Sequence, residues 1–155
     1  FFQLLLIVSI LSFPLISFSL EVGDKAPAFT AQSTHGEVSL ADFAGKKNVV
    51  LALYFAVFTS VWSSELLEFQ RDLEEFNSLN AELLGVSNDD METLQKFVDE
   101  EGVKFKLIAD TGKKIKKLYG SGRVTYLIDK KGIIRFIQEG VPNNQDFLTQ
   151  LKALE

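Results

Sequence analysis

The sequence predicts an α/β domain in which helices cover a central mixed β-sheet. Its 155 residues, 46% of them hydrophobic, are the size of one globular domain with one main core. A continuous apolar run at residues 48–57 is typical of a strand buried on both faces, and a segment of helical periodicity follows it. Strand and helix patterns then alternate to the C-terminus, which favours an α/β class.

The first half of the domain is predicted to contain a hairpin, the buried strand and a helix. Residues 28–40 form the hairpin, with His35 at its exposed turn. The helix is predicted from one apolar stripe spaced i, i+4, i+7, i+11 and i+14, with its acidic residues on the other faces. The stripe comprises Trp62, Leu66, Phe69, Leu73 and Phe76, and the acidic residues are Glu65, Glu68, Asp72 and Glu75.

The second half is predicted to supply four more strands of the sheet and three helices. The strand Ala81–Ser87 precedes a helix with an acidic start, apolar Met91, Leu94 and Val98, and a terminal Gly102. The remaining elements are a short strand at 105–110, a short helix at 111–120 whose four lysines form a solvated face, a hairpin at 123–140 and a last helix at 143–155, with Phe147, Leu151 and Leu154 on one side.

Residues 1–19 are predicted to be a secretory signal peptide rather than part of the domain, which spans residues 20–155. The segment is uncharged and almost wholly apolar, and it ends in the small residues Ser17 and Ser19. A membrane anchor retained as an uncleaved signal is the alternative, because the stretch is long enough to span a bilayer. Pro14 and the serines favour cleavage. The sequence begins at Phe1 without an initiator Met, so we expect the natural chain to start further upstream.

Composition disfavours several classes of function. The net charge of −5 without a basic region gives no indication of nucleic-acid binding. The chain has no cysteine, which excludes thiolate metal sites and disulfides, and one histidine, His35, which is a poor base at a hairpin tip. We therefore expect no metal and no bound cofactor.

The order of these elements, a strand-helix-strand half followed by a hairpin and a packing helix, is that of the thioredoxin-like fold. The sequence also resembles the peroxiredoxins of the alkyl hydroperoxide reductase and thiol-specific antioxidant group, most closely the peroxiredoxin Q or bacterioferritin comigratory protein type. Six segments in the family's order carry the resemblance: "VGDKAPAFT", "GEVSLADFAGKKNVVL", "FTSVWSSELLEFQRDLEEF", "LLGVSNDD", "LIADTGKKIKKLYG" and "RVTYLIDKKGIIR".

The resemblance implies an active site built on a PxxxTxxC loop ahead of a helix, with a remote arginine. Thr59 falls on the motif threonine, Arg123 on the arginine and Glu65 on the glutamate that follows the cysteine. Phe55 replaces the proline and Trp62 the peroxidatic cysteine, while Leu67 stands where some members hold a resolving cysteine. A helix N-terminus and a guanidinium would favour thiolate over thiol at such a site.

Trp62 leaves three interpretations open. A genuine tryptophan would fill the substrate pocket and make the chain an inactive, secreted binding module. A misread selenocysteine is the second, since its codon, UGA, encodes tryptophan in some genetic codes and Trp62 is the only tryptophan. The third is a sequence error or an introduced change from cysteine. In both latter cases the resemblance implies hydroperoxide reduction at position 62 with electrons from an external thiol, by a monomer or weak homodimer.

Overall fold

The computed structural model describes residues 19–54, 56–120 and 122–155, and for residues 60–62 it describes only the backbone. Phe55 and the predicted signal up to residue 18 lie outside the described residues. The described part contains seven strands, one short 3-10 helix at Leu40–Phe43 and five α-helices. The strands are β1 (Thr30–Ser33), β2 (Gly36–Ser39), β3 (Asn48–Leu53), β4 (Ala81–Ser87), β5 (Lys106–Ala109), β6 (Val124–Ile128) and β7 (Ile134–Glu139); the helices are α1 (Ser60–Arg71), α2 (Leu73–Ser78), α3 (Met91–Glu101), α4 (Lys114–Tyr119) and α5 (Asn144–Lys152).

The strands form one mixed sheet in the order β2-β1-β5-β4-β3-β6-β7. β4 runs parallel to both β3 and β5, and the other neighbours are antiparallel. All six residues of β3 are buried, as expected for a strand near the middle of a sheet that is covered on both faces. This agrees with the predicted α/β class and thioredoxin-like fold.

Alternate residues of β3 point into two hydrophobic cores, because successive side chains of a strand lie on opposite faces. Val50 and Ala52 face the core built with α1, α2, α3 and α5. Val49, Leu51 and Leu53 face the second core, which contains α4 and the N-terminal hairpin. The main helical contributors to the first core are Leu66, Phe69, Phe76, Leu94, Phe97, Phe147, Leu148 and Leu151, and those to the second are Ile115 and Tyr119.

Several predicted boundaries are wrong by a few residues. The strand predicted at 48–57 ends at Leu53, and the following helix begins at Ser60 rather than at Trp62. The single helix predicted through Phe76 is divided at Asp72, whose φ of −94° and ψ of 6° depart from helical values. The apolar stripe continues across this break, so its spacing gave no indication of the division.

Two charged residues are buried: Lys116, which was predicted to be on a solvated face, and Glu65, which was predicted to lie off the apolar stripe of its helix. Glu65 is 8% exposed and Lys116 is 5% exposed. Lys116 follows the buried Ile115 on α4, while the other three lysines of this segment, Lys113, Lys114 and Lys117, are exposed as predicted. Desolvation lowers the pKa of Lys116 to about 8, against the opposing effect of Asp110. His35 is not buried in the hairpin turn, in agreement with the prediction of a turn residue.

Candidate active site

The candidate site lies where the chain leaves the carboxyl end of β3 and enters α1. Thr59 is the N-cap residue, with extended backbone angles, and position 62 falls in the first turn of the helix. The first N–H groups of a helix have no partners within the helix and form its positive end. The Thr59 side chain makes no capping bond; its hydroxyl donates to the Ala56 carbonyl at 3.4 Å.

Arg123 reaches α1 from the strand next to β3. It directly precedes β6, whose first residue, Val124, pairs with Leu53 at the end of β3. This antiparallel register brings Arg123 to the same end of the sheet as the β3–α1 loop. Its guanidinium Nη2 forms an ion pair with Glu65 Oε1 at 2.7 Å. Because residues three apart are neighbours on a helix surface, Glu65 holds the guanidinium on the side of α1 where position 62 lies.

The Arg123–Glu65 pair is largely withdrawn from water, with side chains 21% and 9% exposed. Burial raises the pKa of Glu65 to about 7; the charge of Arg123 opposes this change and that of Glu68 adds to it. Partial protonation of Glu65 near neutral pH therefore weakens its hold on the guanidinium as pH falls, and leaves more of the positive charge of Arg123 to act on other anions.

The structure thus brings two of the predicted residues, Arg123 and Glu65, into direct contact on α1, and it places Thr59 at the start of the same helix. Phe55 lies outside the described residues, as does the side chain of Trp62. Leu67, at the position of the resolving cysteine in some peroxiredoxins, is partly buried against the first core.

Sequence reasoning missed two residues that support the β3–α1 loop. Asp89 Oδ2 accepts a hydrogen bond from the Val57 N–H at 2.7 Å, and the Phe97 ring meets the Phe58 ring edge-on at 5.3 Å. The segment "SND" at the end of β4 could have indicated Asp89, since the carboxyl ends of the parallel strands β3 and β4 meet at one edge. The spacing of Phe97 from Leu94 could likewise have placed it in the buried stripe of α3.

Other kinds of site have little support within residues 19–54, 56–120 and 122–155. This part of the chain holds no group of three or more His, Asp or Glu side chains placed to bind a metal ion. None of its helices is long and apolar enough to cross a membrane. An apolar cavity of about 360 Å³ lined by Phe43, Val49 and Ile128 lies at the end of the sheet where β3 begins, away from the candidate site.

Comparison with known proteins places this geometry in context. The family described as AhpC/TSA matches residues 22–137. Peroxiredoxin 1 of Caldanaerobacter subterraneus is 36% identical over 154 residues, covering 86% of this chain and 71% of the relative. The chloroplastic peroxiredoxin Q of Triticum aestivum is 34% identical over 133 residues, covering 79% of this chain. The chain spans only 59% of the length of that second relative.

Solved structures of similar shape agree with the sequence comparison. The reduced 2-Cys peroxiredoxin of Plasmodium vivax superposes with a TM-score of 0.79 at 31% identity, covering 86% of this chain and 81% of the other. The yeast mitochondrial 1-Cys peroxiredoxin gives a TM-score of 0.81 at 27% identity, covering 87% of this chain and 76% of the other.

Proposed function

The chain belongs to the AhpC/TSA family, and on that premise we propose that it reduces hydroperoxides at position 62 when a sulfur or selenium atom stands there. The family activity is thiol-dependent reduction of hydroperoxides. As printed, the chain has no cysteine and carries Trp62 at the peroxidatic position. We propose that the natural residue is selenocysteine or cysteine, because the only tryptophan of the chain falls on this position while Thr59 and Arg123 are retained around it.

The chemistry at position 62 would be a displacement at oxygen. A thiolate or selenolate attacks one oxygen of the hydroperoxide, the O–O bond breaks, and the other oxygen takes a proton and leaves as alcohol or water. The nucleophile becomes a sulfenic or selenenic acid, which condenses with one external thiol to give a mixed disulfide or selenenyl sulfide and water. A second thiol then displaces the nucleophile and leaves as a disulfide with the first. The N-terminus of α1 and Arg123 would stabilise the nucleophile as an anion and the negative charge that develops on the leaving oxygen.

The observation that carries this proposal is the contact between Arg123 and α1. The Arg123 side chain is 21% exposed, and its Nη2 lies 2.7 Å from Glu65 Oε1, which fixes it against the helix whose first turn contains position 62. Ordering and desolvating this side chain against α1 costs free energy that a stabilising ion pair does not always return. The arrangement supports a site in which a positive charge is kept ready for an anion.

The proposal is tested by introducing a nucleophile at position 62 of the protein that carries Trp62. The protein with Trp62 should show no hydroperoxide turnover in the presence of dithiothreitol, since an indole is not a nucleophile. Trp62→Cys should gain turnover, and Trp62→Ser, which removes the indole without adding sulfur, should not. Adding Phe55→Pro to Trp62→Cys should raise the rate further, because proline is the family residue at that position of the loop.

An inactive binding module is the second candidate, favoured by the fact that two motif positions depart together, Phe55 and Trp62. In that case the protein would bind a partner through the face that is an active site in its relatives. The two candidates separate in the experiment above. A folded Trp62→Cys, Phe55→Pro protein whose new thiol reacts with peroxide no faster than free cysteine would favour the binding module.

We also propose that the protein enters the secretory pathway, with residues 1–19 as a cleaved signal peptide and residues 20–155 as the mature domain. Hydroperoxide and an external thiol would be its partners, and the protein would act as a monomer or weak homodimer. Mass spectrometry of the protein secreted from a host cell should find an N-terminus near Leu20. An intact N-terminal segment on membrane-bound protein would instead support the anchor.

A further inference from the structure

The loop between β3 and α1 contains a strained residue. Phe58 has a φ of 60°, in the left-handed region that a bulky side chain rarely adopts. Such a conformation costs free energy and persists only where the surrounding structure holds it in place. Phe58 is also 46% exposed, so core packing does not impose this conformation. Contacts from neighbouring elements must therefore hold Phe58 in this conformation.

Two contacts hold the loop, and both come from the segment after β4. The Val57 N–H donates to Asp89 Oδ2 at 2.7 Å. The Phe58 ring packs edge-on against Phe97 of α3, with centroids 5.3 Å apart and planes at 84°. In addition, Lys96 Nζ lies 5.8 Å from the centre of the Phe58 ring. The residues just before Thr59 are thus fixed by one hydrogen bond and one aromatic contact.

Asp89 is itself held rigidly at the end of β4. Its carboxylate accepts from Ser87 Oγ at 2.5 Å, and its N–H donates to the same oxygen at 3.0 Å. Ser87 is fully buried, so this small ring of bonds is anchored in the sheet. The neighbouring strands are tied at the same level, where the Tyr54 N–H donates to the Val86 carbonyl at 2.9 Å. A rigid path therefore runs from β4 through Asp89 to the loop.

We propose that Asp89 is a positioning residue for the site at position 62. Phe97 supports the same loop by packing against Phe58. Through Val57, Asp89 sets the backbone of the loop, and the loop sets where α1 begins and how its first N–H groups are aimed. Asp89 acts through the loop and touches no reacting atom. This inference rests on the proposed function, since it concerns the same site.

The bond itself is tested without any activity. With Trp62 in place, amide hydrogen exchange at Val57 should be fast in Asp89→Ala, because the oxygen that accepts from the Val57 N–H is gone. It should stay slow in Asp89→Asn, because the asparagine side chain keeps an oxygen there. Asp99→Ala on α3 is the matched control, since Asp99 accepts only from the exposed Gln95 among the hydrogen bonds described. Unchanged exchange at Val57 in Asp89→Ala would overturn the proposal.

The effect on the site is tested in the Trp62→Cys background. Asp89→Ala should reduce the second-order rate with hydrogen peroxide by about tenfold or more, because a small misplacement of a reacting group has large effects on rate. The pKa of the new thiol should rise towards its free value, whereas Asp89→Asn should keep both rate and pKa. Loss of thermal stability alone, with thiol pKa and rate unchanged, would reduce Asp89 to a structural role and overturn the proposal.

The two failures are distinguishable. If the thiol of a folded Trp62→Cys, Phe55→Pro variant, with Asp89 unchanged, is no more reactive than free cysteine, the proposed function fails, and positioning for that reaction fails with it. The Val57–Asp89 bond is decided separately by the exchange experiment. If that thiol is activated and Asp89→Ala leaves it so, only the positioning role of Asp89 is overturned.

Discussion

Glu65 shows that the environment of a single residue can be set by a contact from a distant part of the chain. The periodicity placed it off the apolar stripe of α1, and the family motif matched it to a glutamate, but neither indicated that it is buried against Arg123. The sequence could not indicate this, because the partner comes from the start of β6, far along the chain, and only the pairing of β6 with β3 brings the two together. Thr59 and Arg123 were predicted from the family motif, which records such distant pairs without explaining them.

The raised pKa of Glu65 makes folding stability depend on pH. Its pKa is about 7 in the folded protein against an ordinary value of 4.5, so the folded state binds the proton more tightly. This contribution is fully present below pH 4.5 and is lost as pH rises through 7, by up to about 3 kcal/mol. Relative to Glu65→Gln, the unfolding free energy should therefore fall between pH 4.5 and 7.5.

Urea titrations at several pH values measure this difference. Glu74→Gln is the matched control, since it makes the same change of charge at an exposed position on the next helix, and Glu74 is not among the charges that shift the pKa of Glu65. Parallel pH profiles for the protein and Glu65→Gln would contradict this prediction, because they would show that folding does not change the pKa of Glu65.

At the scale of elements, periodicity predicted most of the fold. The strand Ala81–Ser87 has the predicted bounds, because buried runs between polar boundaries leave few alternatives. The helix α3 begins with Asp90 accepting from the Thr93 N–H at 2.8 Å and ends at Gly102 with a φ of 70°, both visible as capping residues. The break at Asp72 was not visible, since it coincides with a long-range bond from Asn144 Nδ2 at 2.8 Å.

The packing between β3, β4 and β5 leaves no room at Gly85. A Cβ added there would lie 2.9 Å from Tyr54 Cε1 and 3.0 Å from Leu107 Cδ2. Gly85→Ala should therefore destabilise the protein by about 1–3 kcal/mol, through displacement of the buried Tyr54 ring. Gly112→Ala is the control, because the nearest atom there is at an ordinary 3.8 Å. Equal urea midpoints for the two variants would contradict this prediction, because they would show that the Tyr54 ring can move without loss of stability.

For the whole molecule, the sheet order decides which parts of the sequence meet. β3 lies between β4 and β6, so the loop after β3 is flanked by Asp89 on one side and by Arg123 on the other. The family resemblance supplied Arg123, whereas Asp89 was identified only once the structure showed which strands are neighbours of β3. We propose that these parts together form a site that activates a nucleophile at position 62.

The pKa of the thiol in Trp62→Cys tests this claim most directly, measured from the pH dependence of its alkylation by iodoacetamide in the folded protein. We expect a value clearly below the ordinary value of about 8.5 for free cysteine, and a return towards that value when Arg123→Gln is added. A thiol that titrates at or above about 8.5 in a folded Trp62→Cys protein, unaffected by Arg123→Gln, would contradict it.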